Sequence, residues 1–404
     1  MPGRDAGRLA SWLHGPTKKI SVHSARVVPA EETEKKALES AQKIPMTRLA
    51  NLGLLDKTRP CVYGAVTPLA RDLTTHLGKG VTPVAARVSA MMEAIERASA
   101  EEPNASFCRS SYAALKSSKA RVVDPQTFAL PPQSKYDPDK ELNWMSCVRL
   151  PDGDPYWMAS DLISAPPSED VIFQSDTNGL ASGNTLAEAI LHGLCELIER
   201  DALGRYVFAR LHGDDGHVPL IARIDPATIP ADAKKIIERI RSVGQSVHLF
   251  DHSDIGLPVV SAYLTDPVYP GPDGPRAFTF FGFGCSTSAK TALLRALTEA
   301  EQSRVSVLQG ARDSFNSIPG SAEPTTHRCV GFDTLPDASP SDDLLVDLAH
   351  VLNVLDLAGF HSVFVSDLTH PKFDIPVARV LVPGLSVFLV DRSRISWREL
   401  AYLL

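Results

Sequence analysis

The sequence predicts an α/β (mixed α+β) fold in which mixed sheets pack on long helices. Two observations about order along the chain carry this. Three long alanine-rich segments show helical periodicity, at about 83–101, 185–211 and 288–309. Two further blocks, at about 231–260 and 342–378, share one plan: helix, glycine, strand, short turn and a proline-led strand. The third observation is composition. With 404 residues, 44% apolar and 22% charged, the chain has enough material for one large core or two ordinary ones.

Residues 1–17 read as an N-terminal lead-in and residues 18–404 as a single domain, with a C-terminal α/β block at about 340–385. The first elements are a strand-like Ile20–Val28 and a helix opened by Pro29-Ala30-Glu31-Glu32-Thr33. A strand follows at Val62–Val66. A loop through Arg71, His76 and Gly78-Lys79-Gly80 then delivers the chain into a helix at Pro83–Glu101. Asp124–Asp154 is rich in proline and aspartate, which places turns there and a short strand around Asn143–Leu150. After the helix at Thr185–Leu211, the first repeated block runs Ala231–Ser242, Gly244, Val247–Asp251 and Leu257–Val260. Ala277–Gly284 reads as a buried strand feeding the helix Ser288–Gln309. The second block runs Asp342–Leu357, Gly359, Val363–Ser366 and Ile375–Ala378.

The net charge of −7 argues against general nucleic-acid or membrane-surface binding. No segment approaches the roughly 20 apolar residues of a membrane span, and the N-terminus lacks the apolar core of a signal peptide. The expected location is the cytoplasm. Six scattered cysteines without a CxxC pair fit reduced thiols better than a disulfide framework or a zinc site.

One signature occurs twice: Glu93-Ala94-Ile95-Glu96-Arg97 and Glu196-Leu197-Ile198-Glu199-Arg200. Each lies late in an alanine-rich helix that follows a Gly-x-Thr. Glutamates three apart share one helix face, so each copy is a pincer of two carboxylates. A lone ExxER is most often a solvent-facing run of paired charges. Here Ala189, Ile190, Leu194, Leu197 and Ile198 make the second helix largely apolar, and carboxylates on a buried helix must be paired or bind metal. Glu188 and His192 extend the same stripe. The third helix supplies a weaker copy, with Glu299 opposite Glu93, Gln302 opposite Glu96, and Arg295 one turn before Glu299. Facing pincers gather negative charge that requires cations, and hard oxygen donors favour Mg²⁺, which usually brings nucleotide phosphates with it. Arg295 and Glu299 read equally as an ordinary intrahelical ion pair or as a site where Arg295 meets a phosphate, because a guanidinium forks two donors onto oxyanions. Gly78-Lys79-Gly80 is no Walker A loop, yet before a helix start it can present amides and an ammonium to phosphate.

Other groups read more plainly. Asp214-Asp215-Gly216-His217 and Asp251-His252-Ser253-Asp254 are expected to be solvated loops, and Cys195 a small apolar residue inside its helix. Tyr156, Trp157 and Phe173 suit either a peptide groove or core packing.

Taken together, the ordered set resembles the YcaO family, which uses ATP to activate peptide backbone amides. The segments that carry the likeness are Gly78-Lys79-Gly80 with Ser89–Arg97, Asn178–Thr185 running into Glu188 and Glu196–Ala202, and Arg295–Arg304. It spans about residues 18–385 and implies a YcaO-like fold with ATP and Mg²⁺ as cofactors. It further implies that Glu93, Glu96, Glu188, Glu196, Glu199 and Glu299 hold Mg²⁺. Asn184, Arg200 and Arg295 resemble the family's nucleotide and phosphate contacts. Arg26 and Thr33 match a basic residue and a hydroxyl placed near the N-terminus for ATP, and charge and position add Lys79. Glu196, Glu199, Arg200 and Arg295 are the residues expected to carry catalysis.

Azoline-forming members of the family often end in a proline-rich tail, whereas this chain ends Trp397-Arg398-Glu399-Leu400-Ala401-Tyr402-Leu403-Leu404. That ending, and the lack of a fused leader-binding region, resemble stand-alone members that form thioamides beside a TfuA-type protein. The resemblance therefore implies a peptide or protein substrate and a TfuA-like partner, and leaves a homodimer open. Azoline or amidine formation is the enzymatic alternative, and a nucleotide-binding scaffold subunit the non-enzymatic one.

Overall fold

Glycines in two strands let the backbones of sheet and helix touch, and this contact sets the architecture. The structure, a computed structural model, describes residues 2–103, 105–167, 172, 176–212, 221–271, 274–310, 323–324 and 326–403. After helices α1 (Pro2–Ala10) and α2 (Ala30–Ala41), strands β1 (Arg48–Asn51), β2 (Val62–Val66) and β3 (Thr75–Lys79) form an antiparallel sheet. This sheet packs on α3 (Pro83–Glu101). Thr82 caps α3 by accepting from the Ala85 amide at 3.2 Å, with Pro83 at the first helical position. A Cβ on Gly78 of β3 would lie 2.1 Å from the Ala90 nitrogen and 2.3 Å from the Ala86 oxygen, so only glycine against alanine permits this approach.

The same device recurs later. Strands β4 (Phe107–Ser111), β5 (Glu141–Leu150), β6 (Asp154–Ala159) and β7 (Leu180–Ser182), with the short helix α4 (Tyr112–Ser117), lead into α5 (Leu186–His212). Then come β8 (Ala222–Ile224), α6 (Ala231–Arg241), β9 (Ser246–Asp251), β10 (Val259–Gly271) and β11 (Gly274–Cys285). The last of these strands runs into α7 (Ala289–Gln309). Gly282 of β11 stands against Ala296 and Ala300 of α7, where a Cβ would meet the Ala300 nitrogen at 2.1 Å. The alanine-rich helices are therefore those that strand backbone must approach closely. With β12 (Cys329–Val330) these strands form a sheet ordered β11-β10-β9-β8-β12, parallel only at β8–β12.

Helix α8 (Leu344–Leu357) buries Leu344, Leu348, Val351 and Leu355 completely, the stripe expected of a 3.6-residue period. After it, β13 (Val363–Asp367) and β14 (Val377–Leu381) complete a third sheet, β4-β5-β13-β14-β7, with β6 on β5. The chain then reaches α9 (Trp397–Leu400), closed by a capping box between Ser396 and Glu399. The mixed α/β class is the expected one. Among the described residues no helix is long and apolar enough to cross a membrane.

Several expectations need correction. Ile20–Val28 is a turn-rich loop rather than a strand: Ile20 and Val22 are exposed, and the Val27 amide is bound to a Glu188 oxygen at 2.6 Å instead of a neighbouring strand. The segment before α3 is not all loop, because β3 occupies Thr75–Lys79 and pairs with β2. Residues 2–10 are helical, and Leu9 and Leu13 enter the largest core cluster beside α8. His252 is buried and bonded to Ser261 at 2.9 Å, while Asp254 pairs with Arg205 and Arg398, so this stretch is not a solvated loop. Tyr156 packs edge-on to Phe364 at 5.3 Å, the core alternative. Asp214–His217 and Phe173 lie outside the described residues.

Candidate active site

Helices α3, α5 and α7 present their carboxylates to one another. Glu96 of α3 sits beside Glu196 of α5, with Glu93 a turn away; burial first, then these two negative neighbours, push the Glu96 carboxyl well above the usual carboxylate range. Glu199 of α5 faces Glu299 of α7. Burial, followed by repulsion from Glu299, raises Glu199 to about 7. Burial also raises Glu196, although Arg200 and Arg295 oppose it. For Glu299 burial pushes upward, but Lys79, Arg200 and Arg295 win and hold it below its ordinary value. The carboxylates of the two expected pincers and of the weaker third copy therefore lie within electrostatic reach of one another. Beside Gln302, Glu301 is buried and pairs with Arg239 at 2.7 Å.

The remaining predicted residues tie in along the α5 stripe. Glu188 has a fully buried side chain whose oxygens accept from the Val27 amide (2.6 Å), the Asn184 amide (2.8 Å), the Asn184 side chain (2.9 Å) and Arg26 (3.3 Å). Thr33 donates to the Asn184 Oδ1 at 2.9 Å. The structure thus brings Arg26, Thr33, Asn184 and Glu188 into one network at the N-terminal end of α5. Lys79 at the end of β3 is ion-paired with Glu299. Glu199 accepts from the Cys285 amide at 2.9 Å, Glu196 pairs with Arg200 at 3.5 Å, and Glu93 accepts from the Leu77 amide at 3.2 Å while facing Arg97 at 3.6 Å.

His192, one turn from both Glu188 and Glu196, has a larger part than the sequence reading assigned to it. Its Nε2 accepts from Arg295 Nη1 at 3.2 Å, and burial followed by Arg295, Arg26 and Lys79 keeps the imidazole well below its usual range, hence neutral. The stripe at i, i+4 and i+8 was the available signal. Cys195 is buried as expected; burial, then the Cys195 thiol beside it, raises the Cys285 thiol well above normal, so Cys285 is no ready nucleophile.

The chemistry of the donor set decides what this cleft can hold. The raised carboxyls mark negative charge that the resident cations do not fully neutralise. Among the described residues the Arg295 Nε is buried without a partner, a donor awaiting an acceptor. Among the described residues, no three His, Cys, Asp or Glu side chains surround one point closely enough to hold an ion as they are placed. The carboxylates instead lie against amides and side-chain cations along facing helix walls. Hard oxygen donors together with the unused Nε–H of the Arg295 guanidinium fit a Mg²⁺–polyphosphate, which is complementary to both.

Comparison with known proteins agrees. The chain is 31% identical to an uncharacterised protein of Methanothermobacter thermautotrophicus over 93% of its own length and 99% of that protein's. It is 29% identical to an uncharacterised protein in the tfuA 3′ region of Rhizobium leguminosarum bv. trifolii, covering 95% of this chain and 94% of that one. Among solved structures, YcaO from Methanopyrus kandleri bound with AMPPCP and Mg²⁺ superposes with a TM-score of 0.71 at 24% identity, covering 92% and 95% of the two chains. A heterocyclase in complex with substrate and cofactor gives 0.76 at 22% identity over 93% of this chain, which spans only 54% of that larger protein. Both structures show the shared fold. The family model described as YcaO cyclodehydratase, ATP- and Mg²⁺-binding, matches residues 77–386, the stretch that contains all three carboxylate helices. The chain belongs to the YcaO family.

Proposed function

We propose that this chain is an ATP- and Mg²⁺-dependent enzyme that activates peptide backbone amides by O-phosphorylation, and that it forms thioamides beside a TfuA-type partner. The observation that carries the reading is the convergence of Glu96 with Glu196 and of Glu199 with Glu299, beside the partnerless Arg295 Nε. When bound, Mg²⁺–ATP would supply the phosphoryl group that the amide oxygen, a poor leaving group, takes up once a nucleophile has added to the amide carbon, so that ADP is released and the oxygen departs as phosphate. Glu93, Glu96, Glu196, Glu199 and Glu299 would hold the metal. Arg295, Arg200 and Lys79 would bind phosphate. Arg26, Thr33 and Asn184 close the nucleotide end, where Glu188 orders them through its hydrogen bonds. His192, held neutral, accepts from Arg295 and so aims the guanidinium without adding charge.

The thioamide product, rather than another amide-derived one, is supported by the relative in a tfuA 3′ region. The test combines the purified chain with ATP, Mg²⁺, sulfide, a candidate peptide and a TfuA-type protein. Oxygen-to-sulfur exchange adds about 16 Da to the peptide, whereas azoline formation removes a water. ATP consumption without a peptide mass change under every such condition overturns the reading, and loss of water redirects it to cyclodehydration.

A further inference from the structure

A partly open recess of about 30 Å³ lies behind the second pincer, between Asn178, Leu162, Leu197, Leu381, Leu385 and Arg394. Its position ties it to the active site. Asn178 precedes Gly179, whose N–H faces the Glu196 carboxylate. The backbone here is fixed: the Asn178 amide donates to Asp176 Oδ1 at 3.0 Å, Gly179 takes a φ of +78°, and its carbonyl accepts from the Val380 amide at 2.8 Å. Asp176 is held by two buried arginines, Arg379 at 2.7 Å and Arg394 at 2.8 Å, and Asp391 also acts on Arg394.

Within this frame Asn178 is 5% exposed, yet among the described residues neither its Nδ2 nor its Oδ1 has a partner. A buried, unsatisfied amide forfeits the hydrogen bonds it made to water, so folding alone gives no reason to keep one. A carboxamide presents a donor and an acceptor side by side. Its complement is one residue of extended peptide, whose own N–H and C=O point to the same side. The leucines supply the apolar surface that a peptide side chain needs.

We propose that this recess binds one residue of extended peptide backbone, with Asn178 pairing to its N–H and C=O. This deepens the amide-activation reading, on which it rests for the identity of the peptide as substrate. It places the substrate main chain on the Glu196 side of the cleft. Asn178 is then a substrate-binding residue with no contact to nucleotide.

The test uses the full chain and a defined probe, N-acetyl-Val-Leu-Val N-methylamide, with an analogue whose leucine N–H is replaced by an ester oxygen. Binding is followed by ligand-observed NMR, with Mg²⁺–ATP affinity and thermal midpoint measured in parallel. The wild type should prefer the amide to the ester analogue. Asn178→Ala and the near-isosteric Asn178→Asp should each lose about tenfold in affinity for the amide probe, the worth of one to two hydrogen bonds. Mg²⁺–ATP affinity should not change. The midpoint of Asn178→Ala should stay level or rise, because unsatisfied atoms have been removed. Absence of probe binding to the wild type, equal binding by the variants, or a large fall in midpoint for both overturns the proposal. If Mg²⁺–ATP fails to bind the wild type while the Asn178-dependent probe binding persists, the recess stands and the amide-activation reading falls.

Discussion

Glu199→Gln separates a carboxylate kept for metal from one kept for folding. The glutamine preserves the shape and can still accept from the Cys285 amide at 2.9 Å. What it removes is the Glu199 carboxyl itself, which burial and then repulsion from Glu299 move from 4.5 to about 7. At 1.36 kcal/mol for each pH unit, ionising Glu199 in the folded chain costs on the order of 3 kcal/mol relative to the unfolded one. The sign follows from the raised value. Protonated Glu199 contributes this stability fully below pH 4.5, and it is lost as pH rises through about 7. At pH 8 the nucleotide-free variant should therefore be more stable than wild type by up to about 3 kcal/mol, and the gap should close as pH falls toward 4.5. For a chain of this length, that is a rise of roughly 3–4 °C in thermal midpoint. Mg²⁺–ATP should raise the wild-type midpoint by mass action and leave that of the variant nearly unmoved. Paired melts at pH 8 and pH 5, with and without Mg²⁺–ATP, read all of this. A variant less stable than wild type at pH 8, or one that responds equally to Mg²⁺–ATP, would show that Glu199 is structural and refute the reasoning.

Other outcomes follow from the same geometry. Glu196→Ala should abolish measurable Mg²⁺–ATP binding by calorimetry, because it opens the Glu96–Glu196 pair that burial and repulsion hold poised. His192→Ala should weaken ATP binding about three- to tenfold, the worth of one hydrogen bond to Arg295, and His192→Asn should restore part of it. Gly78→Ala and Gly282→Ala should each cost more than about 4 kcal/mol or prevent folding, since the added Cβ meets helix backbone at 2.1 Å; circular dichroism and expression yield report this. Under native conditions a thiol reagent should modify Cys329, which is exposed, long before Cys195 or Cys285, and fast labelling of either buried thiol would contradict their packing.

The parts of this site visible in the sequence are those set by helical periodicity. Glu196 and Glu199, or Glu93 and Glu96, share a face because three residues make nearly one turn, and the apolar neighbours of Glu196 showed that its helix was buried. Contacts made across the chain left no periodic trace. Nothing near Glu199 announces that the Cys285 amide will reach it from 86 positions away. Likewise, Ile20–Val28 has strand-like composition, but its Val27 amide satisfies Glu188 rather than a neighbouring strand. That exchange bears on function. A carboxylate whose oxygens already accept from Val27, both Asn184 nitrogens and Arg26 has little capacity left for a metal, so Glu188 must release these partners to ligate Mg²⁺. If it keeps them, it acts as the clasp that closes the N-terminal loop over the nucleotide end. In that case the metal-holding work falls on the carboxylates of α3, α7 and the far half of α5, where burial has left negative charge without enough cations to answer it.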